Sequence, residues 1–306
     1  MIPDIAIEVE DLQKSYGKTK AVDRLSFTVR KGEIFGLVGP NGAGKTTTLE
    51  CLEGLRRQDS GEVRLLGFNP QKDRRALNAH IGVQLQESSL AHQIRVWEAM
   101  DLFASFYKRN QSPIGLLEQL GLSSQRDTAF ARLSGGQKQR LFIALALIHD
   151  PELLFLDELT TGLDPHGRRL IWELIRDING QGKTIVLSTH FMEEAERLCD
   201  RVLIIDHGKT VVLDSPENLV RDLTADHKVI FSVKGRFDVS FFRDLSAVTA
   251  VDIFDDRVTV SGRSENLVAD VVKVLAKEKV RYFDLHTLQP NLEDVFLKLT
   301  GREIRG

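Results

Sequence analysis

Cysteine is almost missing from this chain: Cys51 and Cys199 are the only two in 306 residues. Neither stands in a metal-ligand or redox spacing, so thiolate metal centres and dithiol chemistry are set aside. Both read as buried apolar residues of a reducing compartment. Charge of one sign is not in excess either. The net charge of −3 offers no electrostatic case for nucleic acid or an anionic membrane surface. Long apolar runs are lacking. The longest, "LFIALALI" at Leu141–Ile148, is less than half of what spans a bilayer, so the chain is not expected to cross a membrane by itself. The start, "MIPDIAIEVEDLQKSYG", is acidic and alternating, without the basic opening and apolar block of a secretion signal. Repeats and low-complexity tracts are absent, and the histidines show no zinc-ligand spacing.

What is present is ordinary globular material: 42% hydrophobic residues are ample for a core, and the length suggests two domains, or one large domain with an appendage. Ile5, Ile7 and Val9, then Leu25, Phe27 and Val29, alternate with polar residues, as half-buried antiparallel strands do. "EIFGLV" (33–38), "LLFL" (153–156) and "TIVLS" (184–188) are unbroken apolar runs that suit strands covered on both faces in a parallel sheet. Between Ser88 and Ala131 the pattern turns helical. Val96, Met100, Phe103 and Tyr107 repeat at helix spacing, and "SPIGLLEQLGL" reads as a second, shorter helix. This stretch is expected to be a helical insertion in a cassette covering 1–223. From Val229 the order βαββαβ predicts a small ferredoxin-like α+β domain over 224–306, joined near Leu223–Lys228. A closing helix is expected, capped by Asn291, favoured by Glu293 and Asp294 at its positive end and stopped by Gly301.

The chemistry concentrates in a few turns. Gly39–Thr46 fits G-x-x-x-x-G-K-[ST] between an apolar strand and a helical stretch, the context of a P-loop. Across "GPNGAGKTT", Gly39, Pro40, Asn41, Gly42, Ala43, Gly44, Lys45, Thr46 and Thr47 would cradle phosphates with backbone N–H groups. Lys45 would neutralise the β/γ oxygens, and the Thr46 hydroxyl suits Mg²⁺. "LLFLDE" puts Asp157 at a buried strand end, where it can hold Mg²⁺ through water. Glu158, one residue on, can deprotonate the attacking water. His190, at the tip of a third strand, can bond the γ-phosphate and that water; a structural histidine is the plainer reading. Gln84 and Gln86 compete for the role of a glutamine that reaches metal or water, and spacing does not separate them. Tyr16 is either an adenine-stacking face or a surface tyrosine.

A second anion-binding turn, Ser134, Gly135, Gly136 and Gln137 in "LSGGQ", opens a helix over Gln137–Ile148. With the phosphates already enclosed by Lys45 and its loop, this turn fits a nucleotide held by another copy. "GPNGAGKTT", "LSGGQ", "LLFLDE", "TGLD" (161–164) and "THFMEEAERLCDRV" resemble, in order and spacing, the ATP-binding cassette ATPases of ABC transporters. The match runs from Ile5 to about Leu219. The resemblance implies an α/β P-loop NTPase core with a mixed sheet, an antiparallel subsheet and a helical insertion. It also implies a head-to-tail dimer that sandwiches ATP–Mg²⁺. In that dimer Tyr16 stacks on adenine, Gln86 rather than Gln84 is the loop glutamine, and Ser134–Gln137 act in trans. Asp164 lies at the dimer contact and His190 is the switch histidine.

"PNLEDVFLKLTGREIR" (290–305) looks like the tail of drug-resistance-type exporters, which implies a separate membrane permease and a peripheral place on the cytoplasmic face of the cell membrane. Leu159 departs from the family, which usually has proline after the catalytic glutamate. That puts the rigidity of the turn in question but leaves a competent ATPase expected. A soluble ABC ATPase acting on ribosomes or DNA usually carries two cassettes or a long coiled-coil insertion, and neither is found here. An ATP-gated regulatory module is the third alternative, and the intact Glu158 argues against it.

Overall fold

The computed structural model describes residues 4–301 apart from 87, 109–110, 224–226, 234–239, 244, 246, 265 and 289. The chain divides into two compact units, the second beginning at Glu217.

In the first unit, β1 (Ile5–Tyr16) pairs antiparallel with β2 (Thr19–Arg30), as the alternation of apolar residues requires. The strand β3 (Ile34–Val38) is buried along its whole length and runs into the P-loop, followed by α1 (Lys45–Leu52). Next come β4 (Ser60–Leu65), α2 (Arg74–Leu77) and β5 (Ile81–Gln84). β4 pairs antiparallel with β1, completing a three-stranded sheet in the order β2-β1-β4.

The helical insertion comprises α3 (Val96–Ser105) and α4 (Pro113–Gln119), the latter capped by the Ser112 hydroxyl. Helix α3 ends before Tyr107, whose ring stacks instead on His149 with centroids 4.0 Å apart. Then come α5 (Gly135–Leu147), β6 (Leu153–Asp157), α6 (Pro165–Gly180), β7 (Thr184–Thr189), α7 (Met192–Leu198), β8 (Arg201–Asp206) and β9 (Lys209–Asp214). The central sheet has the order β5-β6-β7-β3-β8-β9. All its pairings are parallel except β8 with β9. β3, β6 and β7 are buried at every residue, which is why their text is continuously apolar. Their carboxyl ends open on one edge, where ligands of such sheets sit.

The division falls between Pro216 and Glu217, at the start of α8 (Pro216–Leu223), upstream of the joint suggested near Leu223–Lys228. The chain continues through β10 (His227–Val233), α9 (Ser240–Arg243), β11 (Val248–Phe254), β12 (Arg257–Gly262), α10 (Leu267–Lys277), β13 (Tyr282–Leu288) and α11 (Leu292–Thr300). The antiparallel sheet β11-β12-β10-β13 has the ferredoxin-like order. Phe231, Phe242, Val258, Val260 and Val271 fill its core. At α11 the Asn291 side chain accepts from the Glu293 and Asp294 N–H groups, and Gly301 ends the helix at φ 69°.

One core residue is out of keeping with its surroundings. Glu53, just past α1, is 3% exposed and its Oε2 has no hydrogen-bond partner. Burial, with Asp157 and Glu50 nearby, pushes its carboxyl up to about 8. A carboxyl that holds its proton more tightly when folded contributes stability that is complete below the unfolded value of 4.5. That stability is lost as pH rises through about 8. Glu53→Gln cannot ionise, so its stability should gain on the wild type steadily across that window. Urea unfolding at the two ends of the window checks this; a constant difference would contradict it.

Candidate functional site

The P-loop is shaped by backbone contacts that exclude larger residues at two positions. Gly44 has φ 104°, and a Cβ there would lie 2.2 Å from the Ala21 carbonyl oxygen. At Gly39 a Cβ would lie 2.2 Å from the Ile205 carbonyl oxygen. The loop is further tied by Gly39 N–H to the Thr189 carbonyl (3.3 Å) and Ala43 N–H to that of Pro40 (3.1 Å).

Lys45 opens α1 and folds back over the loop. Its Nζ donates to the carbonyls of Gly39 (2.9 Å) and Pro40 (3.2 Å) and stands 3.3 Å from Glu158 Oε1. Burial pulls this ammonium below its ordinary value, against the opposing pull of Glu158. A buried cation so disfavoured gains from the approach of a polyanion. The carboxyl of Asp157, at the end of β6, is raised by burial, and its Oδ1 accepts from Ser188 Oγ while Thr46 also bonds it.

Glu158 collects the residues singled out by sequence. Besides Lys45, its Oε2 accepts from Gln86 Nε2 at 3.1 Å, and its Oε1 lies 3.4 Å from His190 Nδ1. Gln84 is elsewhere: it is 2% exposed and donates to the Leu85 carbonyl at 2.7 Å. Geometry thus separates the two glutamines that spacing could not. Glu158 takes φ 46°, uncommon for a non-glycine residue.

The turn that lacks proline at Leu159 is held by other means. Gln139 Nε2 donates to the Leu159 carbonyl (2.7 Å), Glu158 N–H donates to the Ser188 carbonyl (3.2 Å), and Thr160 Oγ1 donates to Glu194 Oε1 (2.8 Å). The same Glu194 oxygen accepts from Trp172 Nε1 at 2.9 Å. Sequence reasoning does not single out Ser188, Gln139 or Glu194. Glu194 lies inside "THFMEEAERL", but its partners are on other elements. Glu194→Ala leaves two buried donors unpaired at about 1–3 kcal/mol each. It should lower both the melting temperature and kcat, and Glu194→Gln, which keeps an acceptor, should recover much of kcat. Steady-state kinetics beside thermal melts checks this; an alanine variant with unchanged kcat would remove Glu194 from the turn's support.

A cavity of about 410 Å³ is lined by Tyr16, Asn41, Lys45, Thr46, Gln86 and Glu158, among others. Tyr16 is 44% exposed, with Arg56 and Lys14 near its ring at 5.3 and 5.9 Å. None of Ser134–Gln137 lines this cavity. The Ser134 hydroxyl caps α5 by accepting from Gln137 N–H (3.3 Å), and the Gln137 side chain accepts from Ser134 N–H (2.8 Å). Asp164 is the N-cap of α6, accepting from Gly167 N–H at 2.6 Å.

A phosphate-binding loop after β3, a buried carboxylate pair at the end of β6 and an aromatic at the mouth define a P-loop nucleoside triphosphatase. The ABC transporter family profile matches residues 22–161. "Nod factor export ATP-binding protein I" of Sinorhizobium fredii strain NGR234 is 41% identical over 99% of this chain and 88% of its own length. The protein of the same description from Paraburkholderia xenovorans is 41% identical over 99% of this chain and all of its own. An ATP-binding cassette solved as a dimer in a post-hydrolysis state with ADP and Pi is 25% identical, with a TM-score of 0.62 over 68% of this chain and 98% of that one. The chain belongs to the ATP-binding subunits of ABC transporters and is an ATPase of that family. Among the described residues no helix is long and apolar enough to cross a membrane.

Proposed function

We propose that this chain powers an exporter: it pairs with a second cassette, closes on ATP–Mg²⁺, and passes that closure to a separate integral-membrane permease on the cytoplasmic face of the cell membrane. The observation that carries the reading is the split of the anion-binding groups. The P-loop and Glu158 line one cavity, while Ser134–Gln137 lie outside it. A partner cassette is the natural owner of the missing donors, and the dimeric post-hydrolysis cassette supports that arrangement. Outward transport is supported by the relatives named for export.

Within each site, Lys45 holds Glu158 at 3.3 Å, and phosphate oxygens compete for the same ammonium. As the phosphates take Lys45, the Glu158 carboxylate is released to accept a proton from the attacking water. His190 and Gln86, each beside Glu158, orient that water and the γ-phosphate. The donor set fits Mg²⁺, a hard cation that prefers oxygen: Thr46 and Asp157 already share a hydrogen bond, and Thr46 and Gln86 both line the cavity. Thr46, Asp157 (through water) and Gln86 would hold it, and it would neutralise charge developing between the β- and γ-phosphates. Donors of the partner's signature turn, equivalent to Ser134 and Gly136 here, complete the phosphate shell.

The test is co-purification of the full chain from solubilised membranes, with mass spectrometry of what accompanies it. A polytopic membrane protein in fixed ratio is expected. Ribosomes, or a chain that comes down alone, would contradict the proposal.

A further inference from the structure

Tyr16 ends β1 at the tip of the β1–β2 hairpin, where it is half-exposed and lines the nucleotide cavity. A side chain in that place must have its plane fixed before a base can stack on it at little entropic cost. Two cations stand over the ring, Arg56 at 5.3 Å and Lys14 at 5.9 Å from its centroid. Neither lines the cavity, so they back the ring on the side turned away from it. Arg56 is itself held. Its Nε donates to Glu50 Oε2 at 2.5 Å and its Nη2 to Glu50 Oε1 at 3.3 Å, a two-pronged pair that sets the guanidinium plane. The Arg56 N–H donates to the Glu50 carbonyl (2.9 Å), and the Arg56 carbonyl accepts from Gln71 Nε2 (2.9 Å). Lys14 is tied to Asp59 Oδ1, and Asp59 Oδ2 accepts from the Ser15 N–H, both at 2.7 Å.

We propose that Arg56 is a positioning residue for the adenine base: it fixes the ring of Tyr16 from behind, so that the opposite face is presented to the nucleotide. The inference rests on the reading of Tyr16 as the stacking face. An arginine suits the task, because a planar guanidinium can cover a ring while its edge bonds a carboxylate. As a bare ion pair at the surface, Glu50 with Arg56 would contribute little, and Arg56 is 41% exposed. The use of the pair lies in where it holds the guanidinium. Glu50 belongs to α1, the helix that Lys45 opens. The contacts from Glu50 to Arg56 to Tyr16 therefore tie the base platform to the helix that holds the phosphates. Both ends of one nucleotide are then gripped in a fixed register.

The test is equilibrium binding of ATP, and of inorganic tripolyphosphate, which has no base, to the dilute full chain, with steady-state kinetics beside it. Arg56→Ala should weaken ATP binding about two- to fivefold, the range of an exposed cation–π contact. Its affinity for tripolyphosphate should stay at the wild-type value, and the loss should fall on KM rather than kcat. Arg56→Lys keeps a cation but not the planar pair with Glu50, and should recover part of the ATP affinity. Tyr16→Ala should weaken ATP binding by at least as much as Arg56→Ala, and combining the two should cost nothing more. Equal ATP affinity for wild type and Arg56→Ala, while Tyr16→Ala binds ATP more weakly, overturns this inference alone. A parallel loss of tripolyphosphate affinity in Arg56→Ala also overturns it, because Arg56 would then support the P-loop rather than the base. Tyr16→Ala with wild-type ATP affinity overturns the stacking reading and this inference with it.

Discussion

Glu158→Gln should reduce ATP turnover by about 10²–10⁴-fold, the range expected for loss of a general base, while nucleotide still binds. The glutamine keeps the shape of the side chain, so the P-loop, tied by its own backbone bonds, is undisturbed. What is lost is the negative charge that faces Lys45 at 3.3 Å and His190 at 3.4 Å, and with it the means of taking a proton from water. The cassette should therefore close on ATP and remain closed. Light scattering after gel filtration with ATP should find a dimer for the variant and mainly monomer for the wild type as its ATP is consumed. A variant that hydrolyses ATP at the normal rate would remove Glu158 from its role.

Ser134→Arg should also cut turnover, by about 10²–10³-fold if the lost donors count as much as those of an oxyanion site. Its nucleotide affinity as a monomer should nevertheless stay at the wild-type value. The separation comes from geometry: Ser134 lines no part of the cavity shared by Tyr16, Lys45 and Glu158, so a bulky cation there meets only a nucleotide held by the other protomer. Equilibrium binding of a fluorescent ATP analogue to dilute protein, beside steady-state turnover, distinguishes the cases. If monomer affinity falls along with turnover, the signature turn acts in cis. Mixing Ser134→Arg with Glu158→Gln should also leave one site with neither defect, and such mixtures should regain part of the activity.

The nucleotide site is legible in sequence because its parts are local. A P-loop needs successive residues with particular backbone freedom, and the order strand, loop, helix can be read around Gly39–Thr47. Likewise, the apolar runs at 33–38, 153–156 and 184–188 announce buried parallel strands, and β3, β6 and β7 are buried throughout. The capping of α11 by Asn291 and its arrest at Gly301 are equally local. What escapes a reading of the letters depends on approach through space. Ser188 matters because β7 lies beside β6 and brings its hydroxyl to Asp157. Glu194 matters because Thr160 and Trp172, on two other segments, both point at it. Leu159 looks like a weakened turn because the sequence shows a missing proline but not the Gln139 amide that clamps its carbonyl. Arg56 is an unremarkable letter far from Tyr16 in the text, and only the fold brings it to that ring.

The most direct test of a reaction centre shared between two chains is specific ATPase activity as a function of protein concentration at saturating ATP–Mg²⁺. Activity per milligram should fall steeply on dilution below the dimerisation constant and approach zero for the monomer. A constant specific activity, maintained where sedimentation shows only monomer, would contradict the account.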